Sequence, residues 1–190
     1  MSNFNFTSEY SVMLDHPLEE CMQRLASPSS LEPVMTLNSL AQNVKIQMPE
    51  MIASVPLDKT RDTSKLPTAS EGIERTAFSM EEVVPILGGI YNRTVVIKGV
   101  QTWSKEQQCC LYESEAHGPD VVIWKLRKFV QVGESQTKVE ERIEGSCSKW
   151  LRMVVEKECR SAHQLVFCRF VRSSSCLTRQ HMNKYKTLWE

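Results

Sequence analysis

Residues 73–103, "IERTAFSMEEVVPILGGIYNRTVVIKGVQTW", decide the fold. They contain two long runs rich in β-branched and aromatic residues, with Gly88 and Gly89 between them. Two such runs around a glycine turn predict a β-hairpin. Further along, "QQCCLYESEA", "VVIWKLRKFVQV" and "QTKVEERIEG" each follow a polar turn and predict three more strands. The simplest interpretation of residues 73–146 is five consecutive antiparallel strands.

The segments on either side predict one more strand at the start and a helix at the end. Strict alternation from residue 4 to 14 places Phe6, Tyr10 and Leu14 on one face, as in a strand with one buried face. "DHPLEECMQRLAS" and "SSLEPVMTLNSLAQ" then predict two short helices, and "NVKIQM" at 43–48 predicts a strand. After residue 147, apolar residues at helical spacing predict a terminal helix.

Two stretches do not follow the regular pattern. Residues 49–72 contain three prolines and no sustained period, which is typical of a lid or a mobile insertion. An unbroken helix from Cys147 to Glu190 would be about 66 Å long, whereas a compact domain of this size is only about 40 Å across. We therefore predict that residues 164–178 are an insertion that interrupts the terminal helix.

The order of strand, two helices, six strands and a long terminal helix resembles the helix-grip fold of the START-related, polyketide-cyclase-like (SRPBCC) superfamily. "YNRTVVIKGVQTW", "VVIWKLRKFVQVG" and "TKVEERIEGSCSKWLRMVVEKE" are similar to fungal members. The resemblance covers nearly the whole chain. It implies a single α+β domain over residues 1–190, in which a curved antiparallel sheet of about seven strands wraps around the C-terminal helix. Two short helices follow the first strand.

This resemblance also implies a hydrophobic cavity between sheet and helix. Members bind lipids, sterols or polyketides, and some catalyse cyclisation or dehydration of the bound compound. No diagnostic catalytic motif is shared across the superfamily, so candidate site residues have to come from the pattern of this chain.

Composition excludes several function classes. Lys plus Arg and Asp plus Glu both number 23, so the positive surplus typical of nucleic-acid binding is missing. No apolar run approaches the roughly 20 residues of a membrane span, and the opening residues lack a secretion signal, so we expect a cytoplasmic protein. The seven cysteines include no C-x-x-C, which disfavours a disulfide framework or zinc finger. Phosphate-loop, dinucleotide and serine-hydrolase motifs are also missing from the sequence.

The candidate catalytic residues are polar residues on apolar stripes. Glu141 shares a predicted face with Val139 and Ile143, and Glu82 shares one with Phe78 and Met80. A buried carboxyl group has a raised pKa suited to acid or base catalysis, unless an arginine neutralises it. The alternative is that each carboxyl group lies near a strand end or a bulge and faces water.

His117, in the turn "EAHGPD", is a third candidate at a strand end, with simple solvation as the alternative. Alternation in "VVIWKLRKFVQV" places Trp124 and Leu126 inward and Lys125 and Arg127 outward. For the aromatic residues Trp124 and Tyr112 the alternative is plain core packing, and for Glu113 it is that the opposite face of its strand lies inward. The full set of predicted ligand contacts is Trp124, Tyr112, Glu113, Phe78, Met80, Leu126 and Val155.

No metal site is predicted. Cys159 and His163 are four residues apart, a ligand spacing on a helix, but no second Cys/His pair completes a four-ligand set.

The leading hypothesis is an enzyme that needs no cofactor. It would bind a polyketide-like molecule of secondary metabolism and catalyse its cyclisation, dehydration or isomerisation by acid/base chemistry. The alternative is a non-catalytic carrier of a lipid or apolar metabolite. An NTF2-like cone ranks lower, because that fold opens with helices. The expected partner is a hydrophobic small molecule, with no nucleic acid and no membrane span, and a homodimer through exposed sheet edges remains open.

Overall fold

A computed structural model describes residues 4–38, 40–86, 91–118, 120–149, 151–153 and 155–156. The helices and strands, in chain order, are β1 Phe6–Leu14, α1 Leu18–Leu25, α2 Leu31–Met35, β2 Ala41–Ile46, β3 Glu50–Ile52, β4 Ile73–Ile86, β5 Tyr91–Ser104, β6 Cys109–Ala116, β7 Val121–Gly133 and β8 Gln136–Ser146. Short 3-10 helices cover Pro28–Ser30 and Thr63–Lys65.

Within the described residues the strands form one antiparallel sheet of eight, in the order β1-β8-β7-β6-β5-β4-β2, with β3 also paired to β4. The predicted run of five antiparallel strands over residues 73–146 is confirmed, and β1 closes the sheet beside β8. The turn between β4 and β5 lies in residues 87–90, outside the described residues. The eighth strand is β3, three residues long, within the segment predicted as a loop.

Different segments of the chain pack against the two faces of the sheet. Residues directly opposite each other in an antiparallel pair share a face, so the register assigns every strand residue to one side. The helix face carries Cys110, Phe129 and Val139, which pack against α1. The opposite side, the loop face, carries Leu111 and Trp124, which pack against residues 52–66.

Helix α1 binds the helix face through an apolar stripe and through polar contacts at its end. Its buried residues Cys21, Met22 and Leu25 share one side. Two buried side chains of the sheet donate hydrogen bonds to carbonyls at its C-terminus: Arg127 to Leu25 at 2.5 Å and Gln101 to Ala26 at 2.9 Å. A cation at the C-terminus of a helix also compensates the helix dipole. The sheet therefore fixes where α1 ends.

Two further groups of residues cover the helix face. Leu31 and Met35 of α2 pack against Phe78 and Met80. At the other end, the terminal segment approaches β7 and β8, where Leu151 and Val155 pack in the cluster formed by Phe6, Ile143 and Cys147. The remainder of the predicted terminal helix, including the proposed insertion at 164–178, lies outside the described residues.

Residues 49–72 are packed along the loop face. Ile52 and Leu57 are fully buried. Arg75 on β4 holds the segment by donating to the Glu50 carboxylate and to the carbonyls of Thr63 and Leu66. The segment contains strand β3 and the 3-10 helix at Thr63–Lys65. The sequence predicted neither, because each is only three residues long and has no visible period.

Gly99 allows an aromatic side chain to cross the helix face. A Cβ on Gly99 would lie 2.2 Å from the Glu113 carbonyl oxygen and 2.6 Å from Cζ of Phe78. The Phe78 ring on β4 thus lies over β5 and stacks on Tyr112 of β6, with centroids 5.0 Å apart. Glycine is required here because any side chain would occupy the space of that ring.

Candidate functional site

The buried ion pair of Arg127 and Glu141 lies on the helix face, on neighbouring strands β7 and β8. Both residues are 3% exposed, and Arg127 Nε donates to Glu141 Oε2 at 2.6 Å. The predicted burial of Glu141 is confirmed, and the arginine that would neutralise it is present. Arg127 also binds Leu25, so the pair joins the sheet to α1.

The predicted outward position of Arg127 is wrong. Its guanidinium is buried on the helix face. Strand β7 packs against an apolar cluster on each of its faces, so the alternation of its residues does not identify an outer face. Burial by itself lowers the pKa of Arg127, but the neighbouring Glu141 carboxylate and Cys110 together more than offset this, and the pKa lies above its ordinary value.

Lys125 was also predicted on the solvent face, and the structure places it half-buried on the helix face. It lies two residues from Arg127 and directly opposite Tyr112 on one side and Ile143 on the other. Its Nζ is 4.6 Å from the centroid of the Tyr112 ring, which is a cation–π contact. Ser8 of β1 pairs with Ile143 and continues the same line across the sheet. We call Ser8, Ile143, Lys125 and Tyr112 the central row.

The central row lies between the three segments that pack against the helix face. α1 packs beside Arg127, α2 packs near Tyr112, and the segment that starts at Cys147 packs near Ile143. Within the central row, Ser8, Lys125 and Tyr112 are half-buried. Polar groups and aromatic surface therefore occur together at the middle of the face, as in many small-molecule sites.

Glu82 lies on the helix face, but far from Glu141. It is half-buried near the end of β4 and accepts a hydrogen bond of 2.9 Å from Asn38. Three strands separate β4 from β8. The row of Arg127 and Glu141 reaches β4 at Glu74, and Glu82 lies eight residues further along the chain. The two carboxyl groups are therefore not placed to act on the same bond.

His117 is exposed, in the turn after β6. Its backbone N–H donates to the carbonyl of Val96 at 3.1 Å. It lies beside Ala116, at the opposite end of β6 from Cys110 and thus from the row of Glu141. The structure does not bring it together with either candidate carboxylate.

Three of the predicted ligand contacts lie on the loop face. Trp124 is 2% exposed and donates from its indole N–H to the Thr60 carbonyl at 3.1 Å, and Arg61 lies 3.6 Å over its ring. Leu126 packs in the same cluster. Glu113 accepts hydrogen bonds from the backbone N–H groups of Asp62 and Thr63.

Side chains of the two faces point in opposite directions, so these three side chains do not face the Glu141 carboxylate, although Trp124, Leu126 and Glu141 all border one cleft. The sequence pattern did not separate the faces, because both are buried around β7. The remaining predicted contacts, Phe78, Met80, Tyr112 and Val155, lie on or against the helix face.

A cleft of about 500 Å³ opens on the loop face between β1, β7, β8 and Asp58. Its walls carry Glu9, Lys128, Glu140 and Arg142, and its apolar floor is Trp124 and Leu126, which are almost fully buried. A charged rim over a covered floor offers little apolar surface to a hydrophobic ligand. We therefore place the candidate site on the helix face rather than in this cleft.

Other chemistry finds little support within the described residues. The four described cysteines, Cys21, Cys109, Cys110 and Cys147, are free and buried. Burial raises the pKa of the Cys109 thiol to about 12, which disfavours the reactive thiolate. In the part of the chain that the structure describes, no cluster of three or more His, Cys, Asp or Glu residues could hold a metal ion. Cys159 and His163 lie outside it, and none of the described helices is long and apolar enough to cross a membrane.

Comparison with solved structures identifies proteins of the same fold. The chain aligns with the Zhui aromatase/cyclase of a Streptomyces species at a TM-score of 0.61 and 8% identity, covering 90% of this chain and 96% of that one. It aligns with the Thermus thermophilus protein TTHA0849 at 0.53 and 15% identity, over 89% and 99% of the two chains. For the Mycobacterium smegmatis protein Ms6760 the values are 0.54, 11%, 90% and 92%.

No family model matches the sequence, and no curated protein matches it. The predicted fold, that of the polyketide-cyclase-like superfamily, is thus shared with a solved aromatase/cyclase, whereas the likeness to fungal members is unsupported.

Proposed function

We propose that the protein binds a hydrophobic, polyketide-like small molecule against the helix face of the sheet and catalyses its cyclisation, dehydration or isomerisation without a cofactor. The observation that carries this proposal is the set of ionisable groups at the middle of that face: the Arg127–Glu141 pair and Lys125. An all-apolar lining would favour simple carriage, whereas ionisable groups in a ligand site favour chemistry. The shared fold with an aromatase/cyclase agrees with this choice.

In this proposal Glu141 is the proton acceptor. Arg127 favours the ionised form of the carboxylate, which is the form that removes a proton from a carbon beside a carbonyl group. The apolar clusters on either side of the central row would hold the chain of the substrate folded, so that positioning supplies much of the rate. Glu82 and His117 have no part in it, because they lie away from Glu141.

The experiment is mass spectrometry of what co-purifies with the protein, followed by turnover of that compound. We expect Glu141→Gln to lower kcat by at least about a hundredfold, the usual contribution of a general base. The matched control is Glu140→Gln, one residue away on the loop face, where Glu140 pairs with Lys138 at 2.6 Å. Normal turnover by a folded Glu141→Gln variant would exclude the acid/base assignment.

Carriage without chemistry is the second candidate, and one observation favours it. Among the described sheet residues, the three buried or half-buried carboxylates of the helix face already have protein partners: Arg127 for Glu141, Asn38 for Glu82 and Trp103 for Glu74. Such pairs serve structure as readily as catalysis. Recovery of the co-purified compound chemically unchanged after prolonged incubation would favour this alternative.

A further inference from the structure

Lys125 differs from the other buried or half-buried cations of β7 because no described residue is its carboxylate partner. Arg127 pairs with Glu141, and Lys128 on the loop face lies 3.5 Å from Asp58. Among the residues that the structure describes, none forms an ion pair with Lys125. Its contact is the Tyr112 ring, 4.6 Å from Nζ. Within the described part of the chain, the central row thus carries one positive charge that no carboxylate pairs with.

The position of this charge distinguishes it from a surface lysine. Lys125 is half-buried at the middle strand of the helix face, between Tyr112 and Ile143. An ammonium group has three N–H donors, and a contact with an aromatic ring uses its charge without using an acceptor for those donors. Partial burial also removes some of the solvent that would screen the charge. A ligand oxygen is therefore a suitable partner for it.

We propose that Lys125 binds an ionised oxygen of the ligand, so that the molecule recognised is an apolar body carrying a carboxylate, a phenolate or an enolate. This inference rests on the proposed function, because it takes the helix face as the ligand site. The apolar body contacts the clusters beside the central row, and the anionic oxygen accepts a hydrogen bond from Nζ. Tyr112 holds the ammonium group at that position through its ring.

The test is displacement of the neutral fluorescent probe N-phenyl-1-naphthylamine by naphthalene derivatives. Naphthalene-2-carboxylate reports on carboxylates, 2-naphthol at pH 10 reports on phenolates and enolates, and naphthalene-2-methanol is the uncharged control. Lys125→Met removes the charge, Lys125→Arg keeps it, and Lys128→Met removes an equal charge from the loop face of the same strand.

We expect Lys125→Met to lower the affinity for at least one of the two anions by about tenfold. This is the loss typical of removing a hydrogen bond to a charged group. The alcohol should bind equally to all variants, and Lys125→Arg and Lys128→Met should behave as wild type. The arm that responds identifies the class of oxygen. Equal anion affinities for wild type and Lys125→Met, or an equal loss in Lys128→Met, would overturn the proposal for Lys125. Failure of the wild-type protein to bind N-phenyl-1-naphthylamine would instead overturn the ligand site itself.

Discussion

At the scale of single residues, the Arg127–Glu141 pair has two roles to separate. Both side chains of the pair are buried, and Arg127 also donates a hydrogen bond to the Leu25 carbonyl at the end of α1. Removing one member leaves a buried charge without compensation, which costs far more than removing both. Stability measurements can therefore isolate the structural role before any activity is assayed.

We predict that Arg127→Met lowers the free energy of unfolding by about 3–5 kcal/mol, and that adding Glu141→Leu recovers part of this loss. The control is Lys138→Met, which breaks the exposed pair with Glu140 and should change stability by less than about 1 kcal/mol. Urea titrations of the wild type, the two single variants and the double variant measure each free energy of unfolding. A double variant less stable than Arg127→Met alone would contradict a compensating buried pair.

Gly99 provides a second prediction at this scale. Gly99→Ala should destabilise the fold by about 1–3 kcal/mol, because the new methyl group overlaps the Phe78 ring and the Glu113 carbonyl. The matched control is Gly133→Ala, where the nearest atom to the new Cβ is 3.6 Å away and no rearrangement is needed. Equal melting temperatures of the two variants would mean that Phe78 does not cross β5 as described.

Sequence reasoning at this scale found the buried carboxylate but neither the pairing of Arg127 nor the position of Lys125. Glu141 was visible because apolar residues flank it two positions away on each side. Arg127 and Lys125 were hidden because Trp124 and Leu126 are also buried, on the other face. Alternation identifies a buried face only when one side of the sheet meets water.

At the scale of elements, the segment at residues 49–72 is held by side chains of the sheet. Glu113 accepts hydrogen bonds from the backbone N–H of Thr63 and Asp62, and Thr63 also bonds to Thr102 at 2.9 Å. Arg75 and the carboxylate of Glu50 complete the attachment. The described contacts lie on the face opposite Glu141.

We predict that Glu113→Gln increases deuterium uptake in peptides covering residues 57–66. A neutral amide is a weaker acceptor than a carboxylate for the three donors, which are the backbone N–H groups of Asp62 and Thr63 and the Thr63 hydroxyl. Glu115→Gln, an exposed neighbour on the same face of β6, should leave uptake unchanged. Binding of N-phenyl-1-naphthylamine should be equal in both variants, since the segment lies away from the central row. Weaker binding in Glu113→Gln would indicate that the segment contributes to the ligand site.

The long strands were predicted from the sequence, whereas the shortest elements were not. The strands of 73–146 carried enough alternation and turn chemistry to be predicted with their pairing. Strand β3 and the 3-10 helix at Thr63–Lys65 were missed, because three residues cannot show a period and their positions depend on Arg75 and Glu113. Contacts between distant residues, unlike local patterns, are not readable from one sequence.

At the scale of the whole molecule, the proposed function depends on which face of the sheet binds the ligand. The fold matches solved structures over about nine-tenths of the chain, but likeness of fold does not locate a site. The helix face has apolar clusters and ionisable groups at its centre, whereas the loop face has a charged cleft of about 500 Å³. The two faces can be blocked independently.

The most direct test compares Ser114→Trp with Ser11→Trp in binding N-phenyl-1-naphthylamine. Ser114 lies on the helix face one row from Lys125, and Ser11 lines the cleft on the loop face. Ser8→Trp, in the central row itself, repeats the first variant at a half-exposed position of an outer strand. Cooperative urea unfolding establishes that each protein is folded. We expect Ser114→Trp and Ser8→Trp to lose probe binding while Ser11→Trp retains it, and the reverse result would rule out the helix face as the ligand site.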